Sequence, residues 1–123
     1  MEFIALGRPP VGHYSPAVVS GGFVFVSGQL PIEPETGLPL ADFSIEEQTR
    51  QVFANVAGVL AAAGSSLDRV VNATIYLTDI ALWPRFNAAY AEAMGEHRPA
   101  RTVVPVPALH HGVAVEVSVV AER

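Results

Sequence analysis

The spacing of apolar and polar positions changes period several times along the chain, and each change marks an element. Val18-Val19-Ser20, then Gly21-Gly22, then Phe23-Val24-Phe25-Val26-Ser27 predict a hairpin. The two glycines supply the positive φ angles that a tight primed turn requires. Gly28 follows, and Pro31, Pro34, Gly37 and Pro39 mark an irregular loop. At Ser44 the period becomes helical. Ser44-Ile45-Glu46-Glu47 has the form of a capping box, with the serine as cap and Glu47 placed to reach back. Ile45, Val52, Val56, Val59, Leu60 and Ala63 then share one stripe, and Gly64 stops the helix. Val71, Ala73, Ile75 and Leu77 alternate with Asn72, Thr74, Tyr76 and Thr78, which predicts a half-buried strand. A second helix is expected to begin near Trp83-Pro84, where proline suits the first turn, and to end at Gly95. Its Trp83, Phe86, Tyr90 and Met94 fall at helical spacing and read mainly as core. Arg101-Thr102-Val103-Val104 makes a short strand, and residues 113 to 121 the last one.

The predicted order is β-β-α-β-α-β-β, without linker or repeat. It implies a single α+β domain over residues 1–123, a mixed sheet with two helices on one face. The second sheet face carries many apolar side chains and needs cover. Self-association through that face is the natural solution.

The last strand, within GVAVEVSVVA at residues 112–121, holds one charge. Alternation puts Val113, Val115, Val117, Val119 and Ala121 on one face, and Ala114, Glu116, Ser118 and Val120 on the other. Glu116 either solvates a wet face or serves a site. Arg101, after Pro99-Ala100 at a strand start, offers a guanidinium, the best bidentate partner for a carboxylate. With both strands in one sheet, the two residues either form a structural salt bridge or frame one small cleft. Periodicity leaves that choice open.

Composition narrows the chemistry. The chain has no cysteine, so disulfides, a thiol nucleophile and thiolate metal ligands are excluded. All seven basic residues are arginine, which excludes a Schiff-base lysine and a Walker-type phosphate loop. A net charge of −5 without a basic cluster argues against a nucleic-acid partner. His13, His97, His110 and His111 show no metal-ligand spacing, and neither GxSxG nor GxGxxG occurs. No apolar run approaches the ~18 residues of a membrane span, and no signal-like start is seen, so a cytoplasmic location is expected.

Six stretches, taken in order, resemble the Rid family (YjgF type, also labelled endoribonuclease L-PSP). They are Gly12-His13-Tyr14-Ser15, Phe25-Val26-Ser27-Gly28-Gln29-Leu30-Pro31, Asn55-Val56 to Ala63-Gly64, Phe86-Asn87-Ala88-Ala89-Tyr90, Pro99-Ala100-Arg101-Thr102, and Val115-Glu116-Val117. The match runs over roughly residues 8 to 122. The resemblance implies a chorismate-mutase-like α+β fold assembled as a homotrimer with three clefts between subunits. It implies cofactor-free and metal-free hydrolysis of 2-imino and enamine acids, such as 2-aminoacrylate and 2-iminopropanoate, to 2-keto acids and ammonia. By the same resemblance Arg101 binds the substrate carboxylate, and Glu116 positions or activates water. Gly28 gives a backbone donor, Ser27 lines the site, Tyr14 closes the cleft, and Asn87 lies at its side. The chain departs from the archetype at His13 and Pro16, and Val103 stands where a cysteine is common. Two alternatives accompany this reading: a non-catalytic, carboxylate-binding regulatory trimer, and a ribonuclease or translation inhibitor. The acidic, lysine-free composition disfavours the latter.

Overall fold

The computed structural model describes residues 1–123. Six strands form one sheet: β1 (Glu2–Ile4), β2 (Ala17–Ser20), β3 (Phe23–Gln29), β4 (Val70–Leu77), β5 (Ala100–Pro105) and β6 (Val115–Glu122). Their spatial order is β1-β2-β3-β6-β4-β5, antiparallel throughout except for the parallel pair β4 and β5. Gly21 and Gly22 adopt φ of 60° and 82°, the left-handed turn that the hairpin pattern predicts. β1 is an addition to that pattern. Three residues are too few to show a period, and β1 is held by pairing with β2.

α1 (Ile45–Ala62) and α2 (Trp83–Met94) cover one face. Ser44 caps α1 by accepting from the Glu47 amide at 3.1 Å, the serine half of the capping box. The stripe of α1 meets the odd-numbered face of β6, where Val115, Val117, Val119 and Ala121 are buried as their alternation requires. Phe86, Tyr90 and Met94 of α2 join the same core. Trp83 does not; it stands partly exposed at the start of α2.

The alternation expected for β4 fails at one end. The β4–β6 register shifts between Val70 and Asn72, so Val70 turns inward and Val71 is left 36% exposed. From Ala73 onward the expected inner face is correct. A second irregularity lies between Val26 and Gln29, where β3 advances three residues while β6 advances two. This bulge contains Ser27 and Gly28. The sheet face away from the helices is uncovered within the chain; it is apolar around Phe25, which is paired between Val18 and Val120 and 48% exposed, and polar at Thr74, Thr102, Glu116 and Ser118.

Candidate functional site

The bulge in β3 aims the chain at Glu116. A Cβ built on Gly28 would stand 2.8 Å from the Glu116 Oε1 and 3.2 Å from its Cδ. Glycine is needed there for close approach rather than for an unusual φ, since the carboxylate lies directly against the backbone. Ser27, beside it, donates from its hydroxyl to the Ser15 carbonyl at 2.6 Å, and its amide donates to the Pro16 carbonyl at 2.9 Å. These bonds fix the segment that carries Tyr14, whose ring is exposed at the surface. Glu116, Gly28, Ser27 and the Tyr14 segment therefore form one group. Within it the Glu116 carboxylate is half-buried and has neither a salt-bridge partner nor a hydrogen-bond donor in its own chain.

Arg101 belongs to a second group. Its Nη1 donates to Asn87 Oδ1 at 2.8 Å, and its guanidinium lies 4.7 Å from the Tyr90 ring centroid and 5.7 Å from that of Trp83. A planar cation suits such aromatic faces. Asn87, Tyr90 and Trp83 all come from α2, so one helix positions the arginine on three sides. Burial pushes the pKa of the Tyr90 hydroxyl up and so disfavours its ionisation, with the Arg101 charge opposing. That hydroxyl is buried without a partner in the chain. No carboxylate pairs with Arg101; the two ion pairs present are Arg85–Glu46 and Arg123–Glu2.

Arg101 and Glu116 do share a sheet, but β4 lies between them. Arg101 is level with Ala73 and Glu116 with Tyr76, three residues apart on an unbroken stretch of strand. Odd spacing puts them on opposite faces. Arg101 lies on the helix side and Glu116 on the open side. The structural salt bridge that the sequence left possible is therefore absent, and a single chain does not bring the two residues together.

Several residues contribute to which the sequence assigned no part in a site. Gln48, buried on α1, accepts from the Ala114 amide at 2.8 Å and donates to the Phe43 carbonyl at 3.0 Å. It thus ties the loop before α1 to the chain just ahead of β6, two residues from Glu116. Asn55 donates to the carbonyls of Leu30 and Ile32, both at 2.9 Å, and so holds the chain that leaves the Gly28 bulge. A polar residue on a helical face away from solvent was the only available signal. Trp83 and Tyr90 were read as members of a core stripe. His110 and His111 lie on a 3-10 turn, with His111 at φ 61°. His97 bonds the Val70 carbonyl, His13 is exposed, and Val103 packs against the core.

Comparison with known proteins gives one answer throughout. The family described as Endoribonuclease L-PSP matches residues 6–123. A RutC family protein of Pyrococcus horikoshii is 43% identical over 114 residues, 93% of this chain and 90% of its own. The crystal structure of RidA from an Antarctic Psychrobacter is 35% identical and superposes with a TM-score of 0.92 over 100% of both chains. That of Escherichia coli TdcF with bound serine is 32% identical, with a TM-score of 0.90 over 100% of this chain and 99% of its own. The family seen in six short stretches of sequence is thus matched over nearly the whole chain and in its fold: the protein belongs to the Rid, or endoribonuclease L-PSP, family.

Proposed function

We propose that the protein hydrolyses small reactive 2-imino acids and their enamine tautomers to 2-keto acids and ammonia, at a site completed by two copies of the chain. The observation that carries this reading is a pair of uncompensated charges. Arg101 is half-buried with one neutral partner, and Glu116 is half-buried with none. Desolvating a charge without a counter-charge costs free energy, and a purely structural pair would have met within the chain. A 2-imino acid presents an anion for the arginine and a basic nitrogen and electrophilic carbon for the glutamate. That the two groups lie on opposite faces of one sheet supports a site that takes the Arg101 group from one copy and the Glu116 group from another. A homotrimer closes three such clefts. The amino acid in TdcF, whose fold this chain shares, supports a pocket of amino-acid size.

The chemistry is short. The free guanidinium edge takes the substrate carboxylate and fixes C2, while Asn87 holds the guanidinium from behind. Glu116 accepts a proton from water as the water oxygen bonds to C2 of the N-protonated imine, and the C=N electron pair moves to nitrogen to give a neutral amine. The proton then passes to the amine of the tetrahedral carbinolamine. Ammonia leaves as the C=O bond forms, Glu116 takes the hydroxyl proton and hands it to the departing ammonia, and the carboxylate is restored. The Gly28 backbone beside Glu116 offers a donor to the substrate, Ser27 lines the pocket, and Tyr14 closes its mouth. An activated, conjugated imine needs no stronger catalyst than a positioned base.

The test couples an amino acid oxidase to this protein and traps surviving imine with semicarbazide. Imine loss accelerated by the wild type, abolished by Arg101→Ala and slowed by about two orders of magnitude in Glu116→Ala, is expected. An unchanged imine lifetime across several amino acids would refute the reading. Retained ligand binding without turnover would point instead to the carboxylate-binding regulator.

A further inference from the structure

Arg101 is not flanked evenly. On one side Tyr90 is buried, locked edge-on against Phe53 at 5.3 Å and tilted against Phe86 at 5.7 Å. On the other side Trp83 is 37% exposed, and Ile80, on the 3-10 turn just before α2, is 52% exposed. Pro84 at the first turn and the Asp79 side chain, which accepts from the Ala81 amide at 2.9 Å, fix this helix start. The indole is therefore a placed surface and not a loose one. A carboxylate held by the guanidinium edge has its C2 substituent excluded on the Tyr90 side by the packed core. The exposed apolar surface beside the guanidinium is that of Trp83, with Ile80 three residues before it in the chain.

We infer that Trp83 is a specificity-determining residue, an apolar wall that favours 2-imino acids with flat or long apolar side chains over the methyl-bearing one. The inference rests on the carboxylate-binding role proposed for Arg101. An indole face adds contact area for an aromatic or leucine-like substituent and nothing for a methyl group. It also leaves Arg101 bound to Asn87 whichever substrate is present.

Trp83 is the only tryptophan in the chain, so its fluorescence reports on this surface without any need for turnover. Two measurements test the inference. The first is kcat/KM for imines generated from alanine, leucine and phenylalanine, in wild type, Trp83→Phe and Trp83→Ala. The phenylalanine-to-alanine ratio is expected to fall about tenfold in Trp83→Ala, mainly through KM, and to be largely kept in Trp83→Phe. A ratio unchanged in Trp83→Ala overturns the inference while leaving imine hydrolysis standing. The second is wild-type fluorescence titrated with the stable acids pyruvate and 4-methyl-2-oxopentanoate. Tighter binding of the larger acid, lost in Arg101→Ala, supports the wall even if no imine is hydrolysed. Equal affinity for both acids counts against it.

Discussion

Gly28 owes its identity to the carboxylate beside it. Nothing in its backbone φ requires glycine, yet an added methyl carbon would sit 2.8 Å from a Glu116 oxygen. The side chain that must move is the flexible end of a glutamate, so the fold tolerates the change and the site does not. Gly28→Ala is therefore expected to shift unfolding free energy by no more than about 1 kcal/mol, while turnover drops at least about tenfold through misplacement of the carboxylate. Thermal melts and imine-trapping rates on the same preparation separate the two effects. At this scale the sequence was informative where a residue broke its own pattern. Glu116 stood out as the single charge in an apolar strand, and its face followed from alternation alone. Arg101 was equally visible. Their relative placement was not, because it depends on which strand lies between them and on the register of both.

Among the elements, the helices were the most legible, since α1 combines a serine cap, an apolar stripe and a glycine just past its end, and α2 a proline in its first turn, an apolar stripe and a terminating glycine. The bulges were not. Val71 and the Ser27-Gly28 pair depart from alternation because one strand carries an extra residue relative to its neighbour, a fact of pairing that no single strand records. Also hidden was the polar side of α1. Gln48 satisfies the Ala114 amide and the Phe43 carbonyl from inside the core, so Gln48→Leu strands both groups. A loss of about 2–6 kcal/mol is expected, counting about one to three for each unsatisfied group, measured by urea denaturation. The helix starts are joined by Arg85, which grips both oxygens of Glu46 at 2.7 and 2.8 Å and holds that carboxyl down at about 2. A carboxyl whose folded value lies below its ordinary 4.5 stabilises the fold fully above 4.5, and that contribution vanishes as pH falls through about 2. Wild type is thus expected to exceed Glu46→Gln in stability near neutrality, with the difference closing in that acid window. Because the pair is exposed, the difference is small and shrinks with added salt. A gap independent of pH would assign the effect to something other than this ion pair.

For the whole molecule, one sheet face is sealed by two helices and the other is left open, apolar around Phe25 and polar around Glu116. Phe25, at the middle of the open side, is expected to be covered by another copy in solution. Phe25→Glu would put a charge on that surface and should convert the assembly to monomers in sedimentation velocity, with loss of imine hydrolysis at unaltered helix content. A wild-type monomer that retains activity would break the link between assembly and site. The same geometry makes the central claim testable without any structure of the assembly. Arg101→Ala keeps an intact Glu116 group, and Glu116→Ala keeps an intact Arg101 group. If each cleft takes one group from each of two neighbouring copies, unfolding the two variants together and refolding them rebuilds some complete clefts. Random mixing of equal amounts into closed trimers pairs intact groups at about one cleft in four. The decisive measurement is the imine-hydrolysis rate of that co-refolded mixture. Recovery of about one quarter of the wild-type rate per chain is expected, and a mixture no more active than the separately refolded variants would contradict a site shared between copies.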